Sequence, residues 1–346
     1  MGVFSKIGGF LNRHRNKFFV GGVVLWGSVL LSRYAQQKLK EWQQQEAKEF
    51  FERTRKQQHF ESTERTCNQT IISLTNPLNE SLMKTISTEE ILTELRSNPP
   101  NKIELWNRLK VLVVTKVSCL IYMSTLLTTF LRIQMNIIGG YLYKDSTSIP
   151  LDLQQKYLSI CQELLNSGVQ KMAKAFNEEI SKIMGIIPLN RQLKIDELEK
   201  IFWTIQAAVK EHSEDPINNV RQYLILETKN DSNGIYNNMV QETADLLESE
   251  EVKQLMLSCV NRGFVILGDK ISEFYGPSAS NSSADFVHPA DIKIPLAKLI
   301  PIFNGVVSKN SLPNTLIQQF ILNDKLKTLG ANIYEAFSFS NNNNVS

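Results

Sequence analysis

No proline interrupts the chain from Asn101 to Lys144, and this stretch constrains the fold more than any other. Its first half, NKIELWNRLKVLV, places Ile103, Trp106, Leu109, Leu112 and Val113 at the three- and four-residue spacing of a helix face. From Val117 to Leu131 the residues are apolar or small on every side. A helix of that kind is buried, either in lipid or at the centre of a large protein. Lys116 and Arg132 confine the uncharged run to fifteen residues. That is about 22 Å of helix against a hydrocarbon core of about 30 Å. Ser118, Ser124, Thr125, Thr128 and Thr129 dilute it further. The stretch is therefore expected to be the buried central helix of a large bundle. Gly139 and Gly140, near its end, read as structural positions where another backbone comes close, since a side chain at Gly140 would force packed helices apart.

Composition agrees with an all-α fold. The 346 residues include only 16 glycines and 11 prolines, too few for a turn-rich sandwich or propeller. With 38 basic and 35 acidic side chains, the net charge of +3 does not mark a nucleic-acid binder. Cys67, Cys119, Cys161 and Cys259 are far apart, which favours reduced, buried thiols over a redox or metal pair. His14, His59, His212 and His288 are equally scattered, and no P-loop, GxGxxG, GxSxG or HExxH occurs. No catalytic residue, metal site or cofactor is expected. A helical domain without site chemistry reads as an interaction platform.

The amino terminus reads as a membrane anchor. Residues 1–17 are basic, and Phe18 to Ser32, FFVGGVVLWGSVLLS, is an uncharged run flanked by Arg13, Arg15, Lys17, Arg33, Lys38 and Lys40. Fifteen residues are short for a span, but Lys17 and Arg33 can snorkel to the headgroups. The expected anchor covers residues 18–33. A cleaved signal peptide would need a small-residue cleavage site, and SRYAQQKLKEW follows instead. Position six is Lys6, which excludes myristoylation at Gly2. Basic residues on both sides leave the orientation open.

Residues 34–58 are expected to form a solvated helical stalk whose stripe of Leu39, Trp42, Ala47, Phe50 and Phe51 packs on the domain above. A new helix capped by Ser62 or Thr63, a turn at Asn76-Pro77 and a short helix from Leu78 to Ile86 should follow. Helices are expected again over LQQKYLSICQELLNSGVQKMAKAFNEEISKIMG, over IDELEKIFWTIQAAVKEH and from Thr243 to Gly268. Trp42 and Trp203 read as core residues. The bundle should extend from residue 59 to 338, interrupted by a polar loop at 276–285 and ended by a disordered tail at 339–346.

Several segments, in order, resemble the peroxin-3 family of peroxisomal biogenesis factors. They are HFESTERTCN, NKIELWNRLK, RIQMNIIGGYLY, Asn261-Arg262-Gly263-Phe264, IPLAKLIPIFNG and ANIYEAFS. The likeness covers nearly the whole chain and is looser over about 145–240. It implies a single-pass anchor in the peroxisomal membrane, in contact with its lipids, and a helical domain facing the cytosol. That domain would dock peroxin-19, the soluble chaperone-receptor for newly made peroxisomal membrane proteins, and so serve their insertion indirectly.

In the family an amphipathic helix of peroxin-19 enters a hydrophobic groove at the end of the bundle farthest from the membrane. The matching groove positions here are Leu95, Lys102, Trp106, Leu109 and Asn136, with Lys298 at the rim. On its own Trp106 reads first as a core tryptophan; the resemblance turns it into a groove residue. Two other readings remain open: a membrane tether or inheritance adaptor using the stalk, and a lipid-handling protein with an apolar cavity.

Overall fold

A computed structural model describes the backbone of residues 3–224, 234–276, 292–309 and 311–339, with side chains from Arg33 onward, Ala35 excepted. The chain divides into two units, Met1–His59 and Phe60–Ser346. The first is part of one helix, α1 (Val3–Thr85). The apolar run Phe18–Ser32 falls where side chains are not described. From Arg33 to His59 the helix is mostly exposed, and Leu39, Trp42, Phe50 and Phe51 are not packed. The core reading of Trp42 is therefore corrected. One apolar side chain per turn among Gln, Glu, Lys and Arg leaves these helix faces polar.

The second unit is a helical bundle. The expected breaks after residue 59 do not occur, because α1 continues to Thr85 with Pro77 inside it. Proline removes one backbone hydrogen bond there. The buried stripe Cys67, Ile71, Leu78 and Leu82 holds the helix together across it. Next come α2 (Glu89–Arg96) and α3 (Lys102–Lys144). Asn98 closes α2 in the left-handed region, φ 60°, which asparagine tolerates better than most residues. The chain then turns directly into α3.

Helix α3 is the centre of the unit. Every residue from Val113 to Gly140 on it is buried, including Lys116 and Arg132. By length and composition it could cross a membrane, yet 89% of its most apolar window is covered by the rest of the molecule. Around it lie α4 (Leu151–Leu158), α5 (Cys161–Glu163) running through a π turn into α6 (Val169–Gly185), α7 (Ile195–Glu211) and α8 (Val220–Leu224). The shell is completed by α9 (Gly234–Glu248), α10 (Glu250–Ser272), α11 (Leu296–Ser308), α12 (Ser311–Ile321) and α13 (Asp324–Ser338). The expected single helix from Thr243 to Gly268 is two. Ser249 separates them and its hydroxyl accepts from the amide of Val252, capping α10. The expected loop at 276–285 and the tail lie almost entirely outside the described residues. Trp203 is 60% exposed, another correction, because α7 turns Leu198, Phe202, Ile205 and Val209 inward instead.

Strand pairing is confined, among the described residues, to β1 (Gln192–Leu193) against β2 (Ile294–Pro295), antiparallel. The amides of Leu296 and Ala297 extend it by donating to the carbonyls of Arg191 and Leu189, both at 2.9 Å. This ribbon fastens the start of α11 to the segment that follows α6.

Helix α1 runs antiparallel to α3. Cys67 meets the Leu131 carbonyl, while Thr88, just beyond α1, meets Lys116. The α2–α3 turn is thus at the end of the second unit opposite Phe60, where the chain enters it.

Candidate functional site

The α2–α3 end collects most of the residues singled out in the sequence. Lys102, Trp106 and Leu109 follow one another at helical spacing on the first turns of α3. Lys102 is exposed, Trp106 is half-buried against the core, and Leu109 is 2% exposed. Leu95, on the last turn of α2, is half-buried beside them, and Leu92 shares its helix and its burial.

Lys298 joins this end through the segment between α6 and β1. The buried ammonium of Lys110, one turn beyond Trp106, donates to the Ile187 carbonyl at 2.7 Å and to Asn107 at 3.0 Å. Burial holds the Lys110 pKa below its usual value. From Ile187 the chain passes to Leu189 and Arg191, whose carbonyls hold the first amides of α11. Lys298 stands exposed one residue beyond that contact. Arg96, Lys102, Arg108, Lys293 and Lys298 are exposed here, as are the carboxylates of Glu94 and Glu104.

Two further side chains stand out, Ile103, which the sequence placed on one apolar helix face with Trp106 and Leu109, and Ile186, which it did not single out. Ile103 is 74% exposed and Ile186 is 83% exposed, the most exposed large apolar residues described in the second unit. Both flank the same end, Ile103 on the first turn of α3 and Ile186 beside the carbonyl that Lys110 binds. A signal for Ile186 existed: Ile186-Ile187-Pro188-Leu189 keeps an apolar character after the amphipathic helix has ended at Gly185.

Asn136 is not part of this end. It lies about thirty residues further along α3, roughly 45 Å at the helical rise. Its side chain is fully buried and donates to the Arg132 carbonyl at 2.8 Å and to the Glu64 carboxylate at 3.1 Å. Arg132, also fully buried, pairs with Glu64 and donates to Asn68 at 3.0 Å. The cluster joins α1 to α3 beneath Gly330, where a Cβ would fall 2.8 Å from the Asn136 amide nitrogen. A single groove cannot be lined by both Trp106 and Asn136, and placing Asn136 in it is corrected. At Gly139 a Cβ would come within 2.7 Å of Thr63, and at Gly140 within 2.5 Å of Phe337.

The cysteine thiols are poorly suited to nucleophilic chemistry. Burial pushes the thiols of Cys67 and Cys259 up to about 12 and that of Cys161 to about 11, with Cys119 also raised well above its usual value. Such thiols stay protonated. Among the described residues no group of three or more His, Cys, Asp or Glu is placed to hold a metal ion.

The sequence pattern of the Peroxin-3 family matches residues 9–101, 97–149 and 143–336. The chain belongs to the peroxin-3 family. Peroxisomal biogenesis factor 3 of Bos taurus is 33% identical over 368 residues, covering 97% of this chain and 98% of its own. Its Homo sapiens counterpart is 32% identical over 372 residues, with the same two coverages. Peroxisomal membrane protein PEX3 of Komagataella phaffii is 22% identical over 258 residues, covering 56% of this chain and 57% of its own. The likeness to the mammalian proteins thus extends through α2, the start of α3 and α11.

Proposed function

We propose that this chain is a membrane-anchored peroxisome-biogenesis factor whose α2–α3 end docks peroxin-19, for insertion of peroxisomal membrane proteins. Family membership supports biogenesis as the role. The docking reading rests chiefly on one observation: exposed Ile103 and Ile186 at the end that holds half-buried Trp106, where exposed lysines and arginines outnumber the carboxylates of Glu94 and Glu104. An amphipathic helix with an apolar face and acidic flanks fits such a surface. Titration of the full chain in detergent with peroxin-19 tests the reading. One saturable site supports it, and absence of binding contradicts it.

Ile186→Ser should leave the melting temperature unchanged, since the side chain contacts solvent. It should weaken binding about five- to tenfold, the value of roughly 1 kcal/mol of lost apolar contact. Titration of the variant beside its melting curve checks both. The lipid-handling alternative has less support. The cleft between the starts of α10 and α13, about 380 Å³, has a floor of Val252, Leu255 and Leu329 but a rim of Glu251, Asp324 and Lys325.

The proposed location is the peroxisomal membrane, with residues 18–33 as the span and the second unit in the cytosol. Deleting residues 1–33 should turn a carbonate-resistant protein into an extractable one. If the deletion remains membrane-embedded, the anchor lies elsewhere and α3 becomes the candidate.

A further inference from the structure

We infer that Lys116 is a positioning residue that pins α2 to α11 and so fixes one wall of the proposed docking groove. Its side chain is fully buried, yet among the described residues no carboxylate contacts it. The ammonium donates to the Thr88 hydroxyl at 3.2 Å and to the Asn304 side-chain oxygen at 3.4 Å. Thr88 donates to the same Asn304 oxygen at 3.3 Å. Thr88 is the N-cap residue of α2, but its side chain makes no capping bond. It is committed to Lys116 and Asn304 instead. One cation thereby ties the start of α2, the first half of α3 and α11 together, about 15 Å along α3 from Trp106. Leu92 and Leu95 on α2 and Lys298 on α11 are carried by the two elements it joins.

This arrangement costs stability. Burial lowers the Lys116 pKa from 10.5 to about 8, opposed only by the field of Glu89 at the start of α2. Below pH 8 folded and unfolded chains both hold the proton, so the penalty of the buried charge is fully present. Between pH 8 and 10.5 the folded chain has released it and the unfolded chain has not, so stability from this group rises with pH. A buried, carboxylate-free cation is often replaceable by an apolar residue without loss of stability. Its value here is geometric.

The test is Lys116→Met in the full chain. The variant should melt no lower than wild type at pH 7, and the difference between them should narrow by pH 10. Hydrogen exchange of the α2 amides, Ile91 to Arg96, should quicken at least about fivefold while α13 keeps its wild-type rate, the size of a modest coupling between elements. Because the groove wall rests on the docking reading, affinity for the amino-terminal helix of peroxin-19 is measured separately and should fall about tenfold. Asn304→Asp, which offers the ammonium a carboxylate, should keep α2 slow. Unchanged α2 exchange overturns the pin. So does a melting temperature several degrees below wild type, which would make Lys116 an ordinary structural residue. Faster α2 exchange with unchanged helix affinity supports the pin and contradicts docking against α2.

Discussion

Gly140→Glu is expected to abolish cooperative folding of the second unit. At Gly140, α13 lies directly on α3. A Cβ would stand 2.5 Å from the Phe337 Cβ, 3.0 Å from its carbonyl carbon and 3.1 Å from the Ser338 nitrogen. Two of those atoms are backbone, so the helix itself would have to move rather than a side-chain tip. The tilted rings of Tyr141 and Phe337 pair beside the contact, with centroids 5.6 Å apart, and Phe60 and Tyr334 pair at 5.1 Å. Separating α13 from α3 would open that aromatic layer and seat a carboxylate in it. Overpacking and an unpaired buried charge together cost on the order of 5 kcal/mol or more, comparable to the whole stability of many domains. Circular dichroism on heating should show no cooperative transition. A variant melting within a few degrees of wild type would mean that α13 does not press on Gly140.

The central helix was legible because its information is local. Absence of proline and the shift from one apolar face to apolar on all sides describe α3 without any knowledge of its neighbours. The pairing of Arg132 with Glu64 was not legible, since the partners are 68 residues apart and no periodicity links them. Lys116 and Arg132 looked like the ends of a hydrophobic run, whereas the fold takes both inside and supplies partners from α1, α11 and the turn before α2. Pro77 misled for a related reason: a turn signal was outweighed by the burial of Ile71, Leu78 and Leu82 on one side of α1. At the candidate site, Leu95, Lys102, Trp106, Leu109 and Lys298 come from the resemblance, and the fold gathers them at one end. Asn136 also belonged to a segment that resembles the family, but similarity alone does not separate a buried structural amide from a contact. The exposure of Ile103 and Ile186 was not legible because it cannot be read from an isoleucine in a list of apolar residues.

The second large effect concerns Trp106, and with it the docking claim. Trp106 is half-buried and packed against the core, one turn from exposed Ile103. Leu109, by contrast, is enclosed and belongs to the interior. Truncating a tryptophan at the centre of a desolvated contact removes at least about 2 kcal/mol, or roughly a thirtyfold rise in dissociation constant. Calorimetric titration of Trp106→Ala with the amino-terminal helix of peroxin-19, beside its melting temperature, measures this directly. The expected result is affinity weakened about thirtyfold with the melting transition kept. Wild-type affinity in this variant would contradict a docking groove at the α2–α3 end.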